Sequence, residues 1–167
     1  MAEQLSESLE NYLEAILELE KTHKVARAKD IADKLNLQRG SVTGALKSLA
    51  GSGLINYEPY SYITLTARGR RLAAEITSRH QAIRDFLIKV LQIDAATAEE
   101  TACRMEHVID PKTFQRLVCF INYVFTCPRA GEQWIQSFKR FCDAGRLETE
   151  RCEACIDSIA LRGEESK

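Results

Sequence analysis

Three residues of one pentapeptide carry side chains that could bind a metal ion together. Cys103, Glu106 and His107 stand at positions i, i+3 and i+4, so a helix would place them on one face. A thiolate, a carboxylate and an imidazole aimed at one point suit a borderline divalent cation such as Fe(II), Mn(II), Co(II), Ni(II) or Zn(II). The alternative is an amphipathic helix with a buried cysteine, a surface glutamate and a half-buried histidine.

The cysteines offer a second possible metal site toward the end of the chain. All six lie in the second half, and in a cytosolic protein clustered cysteines indicate metal or redox chemistry rather than disulfides. Four of them within 29 residues could hold one structural Zn(II) in a closed tetrahedral site, with an iron–sulfur cluster or four unlinked thiols as alternatives. These four are Cys127, Cys142, Cys152 and Cys155. Cys119 lies in an apolar run and is predicted to be a core thiol.

Composition and charge narrow the class of protein. The 167 residues are 45% hydrophobic and 28% charged, as in ordinary globular domains. The sequence has neither an apolar run of membrane-spanning length nor a signal peptide, so we expect a cytoplasmic protein. The net charge of −1 hides a basic block over residues 21–71, which carries a balance of +7. A basic block in an otherwise acidic chain predicts a surface that binds nucleic acid.

Residues 27–53 have the pattern of a helix-turn-helix motif. A short helix over 28–35 is followed by a turn at Asn36 and Leu37 and by a second helix over 39–50. In this motif the start of the second helix enters the major groove, where polar side chains can reach base edges. The alternative is a generic helical hairpin.

Two β-rich runs follow the motif, over residues 54–57 and 62–66, and they predict a hairpin. A helix-turn-helix followed by a small hairpin is a winged helix, and the wing would lie along the phosphate backbone of DNA. We therefore expect binding to double-stranded DNA. The predicted contact residues are Arg27, Gln38, Arg39, Ser41, Thr43, Lys47, Tyr60, Arg68 and Arg70.

The rest of the sequence is predicted to be helical. A long helix begins after Thr66 and runs to about residue 91, and another begins at Asp94 or Thr97 and carries the metal-binding pentapeptide. The helix over residues 112–125 has enough apolar surface to form a dimer interface. Further helices are predicted over residues 8–21 and 132–141.

Four stretches together resemble the diphtheria toxin repressor and manganese transport regulator family. They are residues 8–14, the winged helix, Arg79-His80 and residues 102–108, and the resemblance covers about residues 5–125. It implies a homodimeric, metal-activated regulator with a mainly α fold. The expected domains are a winged helix-turn-helix DNA-binding domain (1–73), a helical dimerisation and metal-binding domain (74–126) and a cysteine-rich C-terminal helical extension (127–167).

The resemblance also implies the ligands of the regulatory metal. Cys103, Glu106 and His107 would bind it together with Asn11 and Glu14 of the first helix. Cys103 matches the iron-type members, whereas Glu14 matches the manganese type. The ligand set is therefore a hybrid of the two branches.

The family has an ancillary metal site that this sequence retains only in part. His80 matches a ligand shared by both branches, and Glu99 falls where the iron type has a histidine. Arg84 stands where the family usually has a glutamate. We therefore expect an ancillary site at His80 and Glu99 that is reduced or absent.

The combined interpretation is an iron-responsive transcriptional repressor of metal-homeostasis genes. One thiolate ligand favours Fe(II) over Mn(II), and we order the cofactors Fe(II), Mn(II), Zn(II). The alternatives are a manganese- or zinc-responsive regulator of the same fold, and a redox or iron–sulfur-sensing transcription factor that uses the C-terminal cysteines. An enzyme is not expected, because no nucleophile–base pair or phosphate-binding loop is visible.

Overall fold

The chain is mainly helical and divides into two compact units. The structure, a computed structural model, describes residues 5–58, 61–127 and 130–146. The first unit is Met1–His80 and the second is Gln81–Lys167. The predicted mainly α fold class is confirmed, whereas the predicted domain boundaries at residues 73 and 126 stay predictions.

The first unit begins with three helices. Helix α1 (Glu7–His23) ends at Lys24, whose φ of 67° turns the chain out of the helix. Helices α2 (Ala28–Lys34) and α3 (Arg39–Gly51) form the predicted helix-turn-helix, and Asn36 makes the turn between them with a φ of 52°. Asparagine tolerates this left-handed conformation better than most residues do.

A small sheet follows the helix-turn-helix. Strand β1 (Ile55–Asn56) pairs antiparallel with strand β2 (Thr64–Leu65), in the register Ile55↔Leu65 and Asn56↔Thr64. An isolated bridge between Ala26 and Ile63 joins the wing to the segment before α2. Both strands are shorter than the runs that predicted them, but the hairpin is in the predicted place.

One apolar core holds the helices of the first unit to the wing. Apolar side chains spaced three or four residues apart on α1 and α3 face this core, as the amphipathic pattern predicts. The largest fully buried members are Leu13, Ile16, Ile31, Val42, Leu46, Leu49, Leu54, Ile63 and Ile76. Every element of the winged helix therefore contributes side chains to this one apolar core.

Helix α4 (Ala67–Asp85) starts against the backbone of the residues before β1. The Thr66 hydroxyl accepts the Gly69 N–H at 3.1 Å and so caps the helix. A Cβ atom at position 69 would lie 1.9 Å from the Leu54 carbonyl oxygen. Glycine at this position therefore permits the close approach of α4 to the wing.

The described part of the second unit contains the end of the predicted long helix and three further helices. The segment Phe86–Val90 continues α4 as a π-helical turn. It is followed by α5 (Ala95–Glu106), α6 (Pro111–Thr126) and α7 (Glu132–Ala144). Asp94 caps α5 by accepting the Ala96 and Thr97 N–H groups, and these hydrogen bonds hold the pKa of Asp94 below its ordinary value.

Small apolar clusters hold the second unit together. Ile83, Leu87, Ala98 and Ala102 pack α5 against the end of the long helix. Val90, Val124 and Ile135 pack α6 and α7 against the π-helical turn. Among the described residues, no helix is both long enough and apolar enough to cross a membrane.

Helix α6 leaves several aromatic side chains in solvent within a single chain. Phe120, Tyr123 and Phe125 are 43%, 64% and 51% exposed. Cys119 on the same helix is also exposed, so the expectation of a core thiol there is wrong. The apolar run around Cys119 suggested burial of the thiol, whereas among the described residues α6 packs on its own chain through other positions, such as Val124.

Candidate metal site and DNA-binding surface

The end of α5 brings the three predicted metal ligands together. Cys103 and Glu106 lie on the last turn of α5, and His107 is the residue at which the helix ends. Their candidate ligand atoms, Sγ, a carboxylate oxygen and an imidazole nitrogen, all lie within 4.8 Å of one another. The spacing of these residues therefore produces the predicted shared face.

The three side chains differ in their exposure to solvent. Glu106 is 0% exposed and the His107 side chain 2%, and His107 Nε2 lies 3.3 Å from Glu106 Oε1. Cys103 is exposed. Two of the three donor side chains are therefore shielded from solvent, and Cys103 is the more accessible one.

This donor set fits a divalent cation on its own chemistry. A buried carboxylate is costly unless positive charge compensates it. The C-terminal end of a helix also carries partial negative charge, which favours a cation there. Within the part of the chain that the structure describes, Cys103, Glu106 and His107 form the one group of three or more such ligands close enough to hold a metal.

The other predicted ligands of the regulatory site lie in the first unit. Asn11 and Glu14 are half-buried and stand three residues apart on α1, beside the core residues Tyr12 and Leu13. The two side chains therefore share a face of α1. Their assignment to the metal stays a prediction.

The predicted ancillary residues lie on two helices. His80 is on α4, and Glu99 is on α5. Glu99 Oε2 lies 2.6 Å from Arg84 Nε, so the arginine found at a usual glutamate position binds this carboxylate. The ion pair supplies Glu99 with a positive partner from within the chain. The reduced or absent ancillary site stays a prediction.

The predicted four-cysteine site lies partly outside the described residues. Cys127 is half-buried at the end of α6, and Cys142 is exposed on α7. Cys152 and Cys155 fall outside the described residues. The structural zinc site stays a prediction.

The recognition helix α3 presents polar side chains to solvent. Helix α3 begins at Arg39, and the predicted contact residues Gln38, Ser41, Thr43 and Lys47 are all exposed. A cleft of about 690 Å³ lies between this helix and the wing. Its lining residues are Arg27, Ala28, Thr43, Lys47, Tyr57, Ser61 and Tyr62.

Two arginines that were predicted to contact the DNA backbone, Arg68 and Arg70, make contacts with other residues of the protein. Arg70 Nη2 lies 2.7 Å from Glu20 Oε2, and Arg68 Nη1 donates to the Ser52 carbonyl at 3.1 Å. The other oxygen of Glu20 accepts the Leu65 N–H at 2.9 Å. Glu20 of α1 therefore binds both α4, through Arg70, and strand β2, through Leu65. The DNA contact of Arg70 stays a prediction, as does that of Tyr60, which lies outside the described residues.

Sequence reasoning did not assign a role to Tyr57 or Tyr62, although both line the cleft. Their positions in the sequence could have suggested such a role. Tyr57 ends the first β-rich run and Tyr62 begins the second, so both lie beside the hairpin loop, where side chains can turn toward the recognition helix. Glu20 was also missed. A glutamate on an amphipathic helix gives no sign in sequence that it binds a backbone N–H 45 residues away.

Comparison with known proteins also divides the chain into a DNA-binding part and a metal-binding part. A model of the iron dependent repressor N-terminal DNA binding domain matches residues 4–63, and a model of the iron dependent repressor metal binding and dimerisation domain matches residues 66–135. An uncharacterized HTH-type transcriptional regulator of Methanocaldococcus jannaschii is 37% identical over 71% of this chain and 95% of that protein. The transcriptional regulator MntR of Escherichia coli is 35% identical over 68% of this chain and 73% of that protein.

A solved structure supports the same relationship. The manganese regulator SloR is 30% identical, with a TM-score of 0.62, over 72% of this chain and 56% of that chain. The chain thus spans little more than half the length of that structure. Fold and site together define a winged-helix DNA-binding regulator with a helical metal-binding domain.

The chain belongs to the iron-dependent repressor family, which includes the diphtheria toxin repressor and the MntR regulators. This membership confirms the predicted family, the metal-dependent regulatory function, and the two partners, a DNA operator and a second copy of the chain. Members of the family are DNA-binding regulators, so the prediction that the chain is not an enzyme is also confirmed. A divalent metal is the cofactor of the family.

Proposed function

We propose that this regulator is an iron(II)-activated repressor of metal-homeostasis genes. The observation that carries the proposal is the exposed Cys103 thiol within 4.8 Å of the Glu106 and His107 ligand atoms. A thiolate is a softer ligand than Mn(II) prefers, whereas Fe(II) accepts sulfur, nitrogen and oxygen together. Mn(II) and then Zn(II) follow Fe(II) in the proposed order.

The residues of the site have separate tasks. Glu106 and His107 are buried donors whose positions are set by the packing of α5, and Cys103 completes the set from the surface. A bound divalent cation would place positive charge beside the buried carboxylate. Asn11 and Glu14 are proposed as further ligands because residues 8–14 match the family pattern.

Metal control of DNA binding then follows from linkage. If the DNA-competent conformation binds the metal more tightly than the other conformations do, metal raises DNA affinity by the same factor by which DNA raises metal affinity. Metal binding is thus the regulatory input, and DNA binding by the winged helix is the activity that it controls. A regulator of this kind works where the DNA is, and we propose a cytoplasmic location.

A manganese-responsive regulator is the second candidate. It is favoured by the 35% identity to Escherichia coli MntR and by the carboxylate Glu14 at a manganese-type position. The two candidates predict different metal responses from the same protein. They are therefore separable by one titration series.

The test is anaerobic DNA binding as a function of metal concentration. Metal-free protein is titrated with Fe(II), Mn(II) or Zn(II) at fixed concentrations of protein and of a duplex selected from a random-sequence library. Iron control predicts half-maximal binding at a lower free Fe(II) than Mn(II) concentration, and manganese control predicts the reverse. Binding that needs no metal at all would contradict both candidates.

We also propose one structural Zn(II) per chain at Cys127, Cys142, Cys152 and Cys155. The support is the spacing of the four thiols, two of them in a C-x-x-C pair. Changing Cys152 and Cys155 together to serine should remove one tightly held zinc per chain, measured by elemental analysis after mild chelation. A Cys119→Ser variant should keep that zinc, and a wild-type protein that contains none would refute the site.

A further inference from the structure

An exposed arginine and an exposed tyrosine form a defined pair beside the recognition helix. Arg27 Nη2 donates a hydrogen bond to the Tyr62 hydroxyl at 3.1 Å, and Arg27 Cζ lies 5.1 Å from the centre of the Tyr62 ring. This ring distance is within the range of a cation–π contact. A long surface side chain ordinarily samples many rotamers, so two contacts to one neighbour restrict this arginine strongly.

The backbone holds the two residues of the pair in fixed positions. Ala26 donates to the Ile63 carbonyl at 3.1 Å, and Ile63 donates to the Ala26 carbonyl at 2.8 Å. Ala26 and Ile63 are fully buried. Arg27 and Tyr62 are the chain neighbours of this double hydrogen bond, so the contact between their side chains rests on a rigid base.

Arg27 and Tyr62 line two clefts that differ in their other charged residues. One cleft, of about 690 Å³, also contains Lys47 and the hydroxyls of Thr43, Tyr57 and Ser61. The other, of about 540 Å³, contains the carboxylates of Asp30 and Asp33 together with His23. A guanidinium released from Tyr62 would be attracted toward the carboxylates and away from the recognition helix.

We propose that Tyr62 is a positioning residue that holds Arg27 ready for a DNA backbone phosphate in the larger cleft. The guanidinium, the Lys47 ammonium and the surrounding hydroxyls are the donors that a phosphate accepts. Thr43 and Lys47 belong to the recognition helix, so a phosphate bound here would set the depth and angle of that helix in the groove. The inference rests on DNA binding by the winged helix, which family membership establishes.

The proposal predicts a definite order among substitutions. Arg27→Ala removes the phosphate contact. Tyr62→Leu removes both the hydrogen bond and the ring, and Tyr62→Phe removes the hydrogen bond alone. Because Tyr62 is 53% exposed, none of these changes opens a cavity in the core.

The experiment measures DNA affinity at several salt concentrations with full-length, metal-loaded protein and a mixed-sequence duplex. One lost phosphate contact should reduce the slope of log affinity against log salt by about 0.9. Arg27→Ala should show this reduction and a loss of roughly tenfold in affinity, the size expected for a hydrogen bond to a charged group. Tyr62→Leu should approach the salt slope and the affinity of Arg27→Ala. Tyr62→Phe should have values between those of Tyr62→Leu and the wild type.

The double variant distinguishes positioning from direct contact. If Tyr62 acts through Arg27, adding Tyr62→Leu to Arg27→Ala changes neither the affinity nor the slope further. Additive losses would mean that Tyr62 contacts DNA by itself, and this result would overturn the proposal. A Tyr62→Leu variant with an unchanged salt slope and a lowered unfolding temperature would also overturn it, since its role would then be structural.

Discussion

At the scale of single residues, the clustering of three possible metal ligands on α5 is the feature that sequence predicted most directly. Residues three and four apart on a helix are neighbours, so the positions of Cys103, Glu106 and His107 followed directly from helix geometry. Contacts between distant segments gave no such signal. Arg84 and Glu99 are 15 positions apart, and Arg27 and Tyr62 are 35 positions apart. Local periodicity in the sequence does not predict contacts at such separations.

The residue that should decide metal preference is Cys103. We expect Cys103→Glu to replace a soft thiolate by a hard carboxylate and to move the response from Fe(II) toward Mn(II). The measurement is the ratio of the Fe(II) and Mn(II) concentrations that give half-maximal DNA binding. Cys119→Ser, which alters another exposed thiol, should leave the ratio unchanged. An unaltered ratio in Cys103→Glu would mean that the thiol does not select the metal.

At the scale of elements, the order of helices and the hairpin could be predicted from sequence, but their closest contacts could not. Amphipathic periodicity and capping residues predicted the helices to within a few positions, including the start of α5 after Asp94. Strand lengths were overestimated, because the β-rich runs extend beyond the paired residues. The exposure of Cys119 was missed because an apolar sequence does not reveal which of its faces its own chain covers.

The junction of α4 with the wing should depend on Gly69. Gly69→Ala would place a Cβ atom 1.9 Å from the Leu54 carbonyl oxygen, a backbone atom that cannot rotate away. We expect a loss of about 1–3 kcal/mol in the free energy of unfolding, as for other overpacked sites. Chemical denaturation measures this value.

A matched control is available on the recognition helix. Gly44 lies within α3, and a Cβ atom there would meet nothing within 4 Å. Gly44→Ala should therefore leave stability unchanged or raise it by about 0.5–1 kcal/mol, because alanine favours the helix. Equal effects of the two substitutions would show that the contact at position 69 does not limit the packing.

At the scale of the whole molecule, the second copy of the chain should cover the exposed aromatic side chains of α6. Phe120 and Phe125 are 43% and 51% exposed in the single chain, and both lie within the region that matches the dimerisation domain. Burying such rings between two chains would supply the hydrophobic part of an obligate interface. Family membership establishes the dimer, and the location of its interface on α6 is our expectation.

Charge placed among these aromatic side chains should separate the two chains. Phe125→Asp would bury an uncompensated carboxylate in the interface, and we expect monomers in sedimentation or light-scattering measurements. Phe141→Asp is the control, because Phe141 on α7 has similar exposure, 45%, and lies beyond the matched dimerisation domain. A dimer that survives the change at Phe125 but not at Phe141 would place the interface on α7.

The most direct test of metal control through the α5 site compares wild-type protein with Cys103→Ala and His107→Ala. Each variant is examined anaerobically for binding to the selected duplex with and without Fe(II), and its dimeric state is checked in parallel. We predict that metal raises the DNA affinity of the wild type and of the neighbouring surface variant Arg104→Ala. We predict that neither Cys103→Ala nor His107→Ala responds, although both remain folded dimers, because each has lost one of three adjacent donors. If either variant keeps the full metal response of the wild type, the regulatory metal does not bind at Cys103, Glu106 and His107.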